Sequence, residues 1–407
     1  MSSSTSPLPS NTSEYVRATR SSCASASTAL GLTPNVAAID AFLTSLDQAR
    51  FSRLCTQHGL SFPLRFPTPT AEVNFLSIVA LLNALSGYRT AFHTATGCGA
   101  YQNVVRLMIG LYISSADEDR VVGAGTLTAK GMVGLTEARI VELLGVSVHQ
   151  ERQHETLAGV TVGVRGGEMF EAVQLILNAM HGVGRKLEQL NSPSLGAYIV
   201  SLLTHAKSEN MDDVQATDYL TCNIAQTFPE FRDTHHISAL NQDVFLFKRI
   251  FFLLHSLRCK FADKLEWCVP DTKLTLPMFV DNVLPTMCVW FNMFNLADQL
   301  PNGMERLYDW VRTKHCNADL PRQGLVTGSK QAGPRLSQDE TYAIRAATLN
   351  LGAAIVQRAK QLAEQCDANR WLQTLNEVDL DAYLWSVAKD DEALRSVPRL
   401  VYACIHF

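Results

Sequence analysis

Apolar residues return every three or four positions through most of the long segments of this 407-residue chain. That period belongs to a helix of about 3.6 residues per turn, because a strand would alternate instead. Ile39, Phe42, Leu43 and Leu46 make one stripe. Phe75, Val79, Leu82 and Leu85 make another within 70–89, where Gly87 supplies a stop. The same spacing predicts helices over 101–113, 135–145, 168–190, 194–207, 214–226, 243–262, 277–297, 303–315, 337–366 and 379–389. One stretch breaks the pattern: VSVHQERQHETLAGVTVGVRGG, at 146–167, is rich in β-branched residues and glycine and predicts a short hairpin or strand.

The expected fold class is therefore mainly α, with a short β segment near 146–167. An N-terminal helical part covers 15–210 and a C-terminal helical part 211–407, or the two close into one unit. Residues 1–14, rich in serine and proline, are expected to be a disordered tail. The stretch 316–336 holds three glycines and two prolines and reads as a long loop or hinge.

Composition narrows the function. With 35 basic and 39 acidic residues the formal net charge is −4, which argues against a surface that coats a polyanion. A small anionic ligand needs only two or three local cations and stays open. The N-terminus has neither the basic nor the apolar region of a secretory signal. The most apolar runs are interrupted, by Lys248 and Arg249 in one and by Asn292 and Asn295 in the other, so no membrane span is expected. Ten cysteines without a C-x-x-C pair fit a reducing compartment, and the expected location is the cytoplasm.

Common catalytic signatures are missing: there is no P-loop, no H-E-x-x-H and no G-x-S-x-G. His149 and His154, with Glu151 and Glu155, are five apart, which is not a one-face helical spacing, so polar packing is expected there and no metal. His235 and His236 follow Asp233 and read as a solvated loop. Gly97 and Gly99 make a tight turn, or let a backbone approach an anion ahead of a helix starting near Tyr101.

Charges inside apolar segments carry more information. Asp281 in LPMFVDNVLP either caps a helix or is held for chemistry, since burying a lone carboxylate costs several kcal/mol. Lys248 lies among phenylalanines and leucines, and its stem could snorkel to the surface. Arg345 interrupts a helix of alanines and aliphatics. Together, one carboxylate and two cations could converge on a phosphorylated ligand. Tyr383 and Trp385, near Asp379 and Asp381, are either core aromatics of a short helix or a platform that stacks a base and binds its edge.

Taken in order, NFLSIVALLNALSGYR, LFKRIFFLLHSL, LPMFVDNVLP, YAIRAATLNLGAAIV and DAYLWSVAK resemble the queuosine salvage family, whose members are similar to queuosine 5′-phosphate N-glycosylases. The likeness runs from YVRATRSSC, at 15–23, to LVYACIHF. It implies a mainly α fold related to helix-hairpin-helix DNA glycosylases. It also implies hydrolysis of the N-glycosidic bond of queuosine 5′-monophosphate, releasing queuine for salvage into tRNA by a separate transglycosylase. The implied partner is this small nucleotide, with no cofactor, no metal, no membrane and no direct nucleic-acid contact.

The family's phenylalanine-x-aspartate-x-x-x-proline segment falls on Phe279, Asp281 and Pro285, its helix lysine on Lys248 and its late arginine on Arg345. The resemblance implies that Asp281 is catalytic and that Lys248 and Arg345 hold the 5′-phosphate. Phe279, Asn282, Tyr383 and Trp385 are implied substrate contacts, and Asn74, Asn83, Asp379 or Asp381 would meet the base edge or the queuine amine. The chain departs from the pattern at Asn282-Val283, where many members have Tyr-Arg, and at Ala84 to Gly87, where many have aromatics. These departures keep open an alternative, a non-catalytic helical module binding a modified nucleotide or a protein partner. A third reading, a nucleic-acid glycosylase, runs against the acidic balance.

Overall fold

Helices begin where the sequence supplies a side chain to cap them. Thr68, Ser194, Asp212, Ser337 and Asn376 each accept a backbone N–H of the first turn, and Asp212 and Ser337 complete reciprocal capping boxes with Gln215 and Glu340. The protein is described here by a computed structural model covering residues 7–56, 60, 62–116, 125–154, 156–157, 159–316 and 333–402. It is mainly α, and its strands form three short antiparallel pairs. Leu32–Pro34 pairs with Phe294–Leu296, His149–Gln153 with Thr161–Arg165, and Thr234–Ile237 with Gln242–Phe245. The second pair is the hairpin expected within 146–167.

Apolar faces gather into two cores. The helices Pro69–Leu82, Ala100–Ala116, Glu168–Gln189, Leu195–Ser208 and Lys248–Phe261 build the first. The helices Val36–Thr44, Val283–Trp290, Gln338–Gln365 and Glu377–Asp390 build the second. The helix Tyr15–Leu30 bridges them, with Tyr15 and Val16 in one and Cys23, Ala26 and Leu30 in the other. Both cores draw residues from either side of position 210, so the boundary expected there does not separate them.

Several expectations need correction. From Pro7 onward the supposed tail is structured, with Leu8 against the first core; residues 1–6 lie outside the described residues. Most of the 316–336 loop, residues 317–332, also lies outside them. The 70–89 helix ends at Leu82, before Gly87, and the left-handed residue after it is Leu85, at φ 74°. The window 277–297 is not one helix. Residues 276–282 are outside helix and strand, Val283–Trp290 is helical and Phe294–Leu296 is a strand, with Asn292 left-handed between the last two at φ 56°. Pro285 suits a helix that begins only at Val283, because a proline belongs in a first turn and its ring would clash with the residue 281 carbonyl if the helix extended further back. The His235 and His236 segment is a strand rather than a solvated loop: Asp233 is fully buried and His235 Nε2 lies 2.6 Å from Asp339 Oδ1.

Among the described residues no single helix is long and apolar enough to cross a membrane.

Candidate functional site

Lys248 opens the helix Lys248–Phe261 directly after Phe247, which is left-handed at φ 49° and held by ring contacts with Tyr15 and Phe251. A bulky residue in that conformation costs on the order of 1–3 kcal/mol, so surrounding packing must impose it. The consequence is an inward Lys248 side chain, only 5% exposed, rather than one snorkelling to the surface. Its Nζ donates to the carbonyl of Asn83 at 2.6 Å. Burial brings the ammonium down to about 8, against the opposing pull of the Asp281 charge.

Asp281 lies two residues before the helix Val283–Trp290, and its Oδ1 accepts the N–H groups of Val283 at 2.7 Å and Leu284 at 3.3 Å. The carboxylate thus accepts the first N–H groups of the helix Val283–Trp290, as a cap does, and the residue also lines a cavity. The segment before the helix is pinned from behind. Arg345 donates to the carbonyl of Val280 through Nε at 3.0 Å and Nη2 at 2.9 Å. It also forms a bidentate pair with Asp233, at 2.9 and 2.6 Å, and neither side chain is exposed.

Two connected chambers meet at Asp281. The outer one, about 570 Å³, is bordered by Arg89, His93, Lys389, Arg395 and Arg399, and by Gly97 and Gly99 at the start of the helix Ala100–Ala116. The inner one, about 60 Å³, is bordered by Phe252, His255, Phe279 and Asp381. Asn83, Tyr101, Lys248, Asp281 and Trp385 belong to both walls. Trp385 stands edge-on to Tyr101, with ring centroids 6.0 Å apart, and Lys389 Nζ lies 5.1 Å from its ring. This is an aromatic wall suited to a flat, conjugated ligand.

Asp381 is the second acid of the site. Its Oδ2 accepts the Phe279 N–H at 2.8 Å, two residues before Asp281. Burial first, and the Asp281 charge second, push its carboxyl well above the usual carboxylate range. Arg399 gives Nη2 to the carbonyls of Ala388 and Leu394 rather than to a carboxylate. Burial first, and the neighbouring Arg89 charge second, lower its guanidinium to about 10. Two cations side by side, Arg399 buried and Arg89 partly exposed, attract an anion.

Of the residues expected in the site, Lys248, Asp281, Phe279, Asn282, Asn83, Trp385 and Asp381 meet at these chambers. Asn282 donates Nδ2 to the Leu400 carbonyl at 3.1 Å, while its buried Oδ1 has no hydrogen-bond partner. Four others are elsewhere. Arg345 lines neither chamber, and its guanidinium is engaged by Asp233 and the Val280 carbonyl. Tyr383 stacks on Phe51 at 4.9 Å in the second core. Asp379 pairs with Lys273 at 2.9 Å and accepts Asn376 Nδ2 at 2.6 Å, away from both chambers. Asn74 bridges the Leu127 carbonyl and the Gly196 N–H inside the first core.

The outer cations were missed, although the Gly97-x-Gly99 turn marked their neighbourhood. Arg395 and Arg399 lie in a stretch without periodicity, where sequence gives no face to assign. His149 lies on the exposed hairpin, and no group of three metal-ligating side chains occurs among the described residues. The chain matches no protein-family model and no curated protein.

Proposed function

We propose that this protein hydrolyses the N-glycosidic bond of queuosine 5′-monophosphate, releasing queuine for return to tRNA. One observation carries the reading: a carboxylate fixed by helix N–H groups lies where a cation-lined chamber meets an aromatic-lined one. A nucleotide has the matching polarity. Its phosphate would lie among Arg89 and Arg399, and its base along Trp385 with one edge toward the inner chamber. The sugar C1′ would then lie over Asp281.

Cleavage of the glycosidic bond builds positive charge on the ribose ring, and a preorganised carboxylate stabilises that charge without reorganising. Asp281 also orients the attacking water and takes its proton. Lys248 balances Asp281 in the resting site. The likeness of the ordered segments to the queuosine salvage family supports the substrate, and a relation to helix-hairpin-helix glycosylases and a cytoplasmic location belong to the same reading.

The test is incubation of the purified protein with queuosine 5′-monophosphate and with GMP, chelator present, and mass spectrometry of the free base. Queuine should appear from the former alone, and Asp281→Asn should abolish release while nucleotide binding persists. A folded protein that binds the nucleotide without cleaving it would be a non-catalytic binding module. Undiminished turnover by Asp281→Asn would remove that residue from the mechanism.

A further inference from the structure

We propose that Asp381 is the general acid of this site, delivering to the departing base the proton it needs as the glycosidic bond breaks. This rests on the hydrolase reading above and extends it to the leaving group. The base in question has carbon at position 7, so it lacks the ring nitrogen at which an ordinary purine is protonated to leave. Charge released from N9 instead flows into the six-membered ring, onto its carbonyl oxygen or ring nitrogen. A neutral acid must meet it there.

The geometry provides one. Asp381 and Trp385 are four residues apart on the helix Glu377–Asp390, so they share a face, and both line the inner chamber. The Phe279 N–H holds Oδ2 of Asp381, which fixes the carboxyl in the chamber that Asp281, two residues beyond Phe279, also lines. Facing it are Asp281, Lys248 and His255 from the helix Lys248–Phe261, and Tyr101 from the helix Ala100–Ala116. On its own helix, Glu377 is engaged by Arg20 at 2.6 Å and Asp379 by Lys273 at 2.9 Å. Burial and the adjacent Asp281 charge both favour the protonated form. Two carboxyl groups with divergent environments thus divide the acid and base roles.

The step balances. The C1′–N9 bond breaks with its electron pair going to the base, and the Asp381 proton neutralises the base. Water oxygen bonds to C1′, and its proton passes to Asp281. Exchange with solvent through the outer chamber restores both acids.

The experiment compares two substrates: queuosine 5′-monophosphate and 4-nitrophenyl β-ribofuranoside 5-phosphate, whose 4-nitrophenolate leaves without a proton. Asp381→Asn retains an amide oxygen for the Phe279 N–H, and thermal melting checks its fold. On the first substrate it should lower kcat by about 10²–10⁴-fold with little change in KM. On the second substrate it should retain near wild-type kcat, whereas Asp281→Asn loses both. Asp381→Glu, which still carries a proton, should restore part of the rate. Equal losses on the two substrates would overturn the acid role and leave the hydrolase reading intact. A wild type that cleaves neither substrate would overturn both.

Discussion

Replacing Arg345 by Met tests whether that arginine serves the fold or the ligand. Arg345 and Asp233 are both fully buried, and the change leaves the Asp233 carboxylate without its partner in the protein interior. Breaking such a pair from one side costs about 3–5 kcal/mol, a large part of the 5–15 kcal/mol by which a protein is normally stable. The two hydrogen bonds to the Val280 carbonyl are lost in the same change, so the Asp281 segment loosens along with the core. Urea denaturation should report that loss as a lower midpoint. Adding Asp233→Leu should recover part of it, because no lone charge then remains. Recovery should be incomplete, since Asp233 Oδ2 also accepts the Lys248 N–H at 3.3 Å. In turnover assays any rise in KM should be equal for nucleotide and nucleoside. Stability within about 1 kcal/mol of wild type, together with a KM effect confined to the 5′-phosphate, would refute the structural role.

Arg399→Gln and Arg89→Gln should each raise KM for the nucleotide by roughly 10–100-fold, the loss of one charged hydrogen bond, and hardly change it for the nucleoside. Equal effects on the two ligands would remove the phosphate from the outer chamber. Thermal melting should separate Asp281→Asn, which keeps the helix cap, from Asp281→Ala, which loses about 1 kcal/mol; matching melts would mean that the cap contributes nothing. Lys248 predicts a pH signature. The unfolded chain holds that proton up to about 10.5 and the folded protein only to about 8, so between these values the unfolded state binds more protons and stability rises with pH. The wild type should gain on the order of 3 kcal/mol relative to Lys248→Met between pH 7 and pH 11. Parallel urea curves for the two proteins across that range would contradict the buried ammonium.

Helical periodicity made the class of fold legible, because burial of one face every 3.6 residues is a local property. The site was legible only where a charge broke that pattern. Lys248 and Asp281 stood out for this reason, and both line the cavity. Arg345 stood out equally, yet its partner, Asp233, is 112 residues away, and nothing local reveals such a pairing. Tyr383 and Asp379 were separable in principle. Residues two apart on a helix point to nearly opposite sides, so Tyr383 could not share a face with Trp385, nor Asp379 with Asp381. Phe279 and Asp281, also two apart, do line one chamber, because their segment is not helical. The helix begins only at Val283, and the apolar run across that boundary masked it.

The helix Tyr15–Leu30 packs along the helix Gln338–Gln365, and Arg358 grips Asp40 at 2.6 and 2.8 Å. On a ribosome this arrangement imposes a wait. Asn83 and Arg89 emerge hundreds of residues before Trp385 and Arg399, and the early helices that line the second core have nothing to cover them meanwhile. A nascent chain stopped before Trp385 therefore presents bare apolar helices, a surface that chaperones bind and proteases clear. Ligand binding cannot begin on such a chain, because its cavity lacks the wall that Trp385, Lys389 and Arg399 supply.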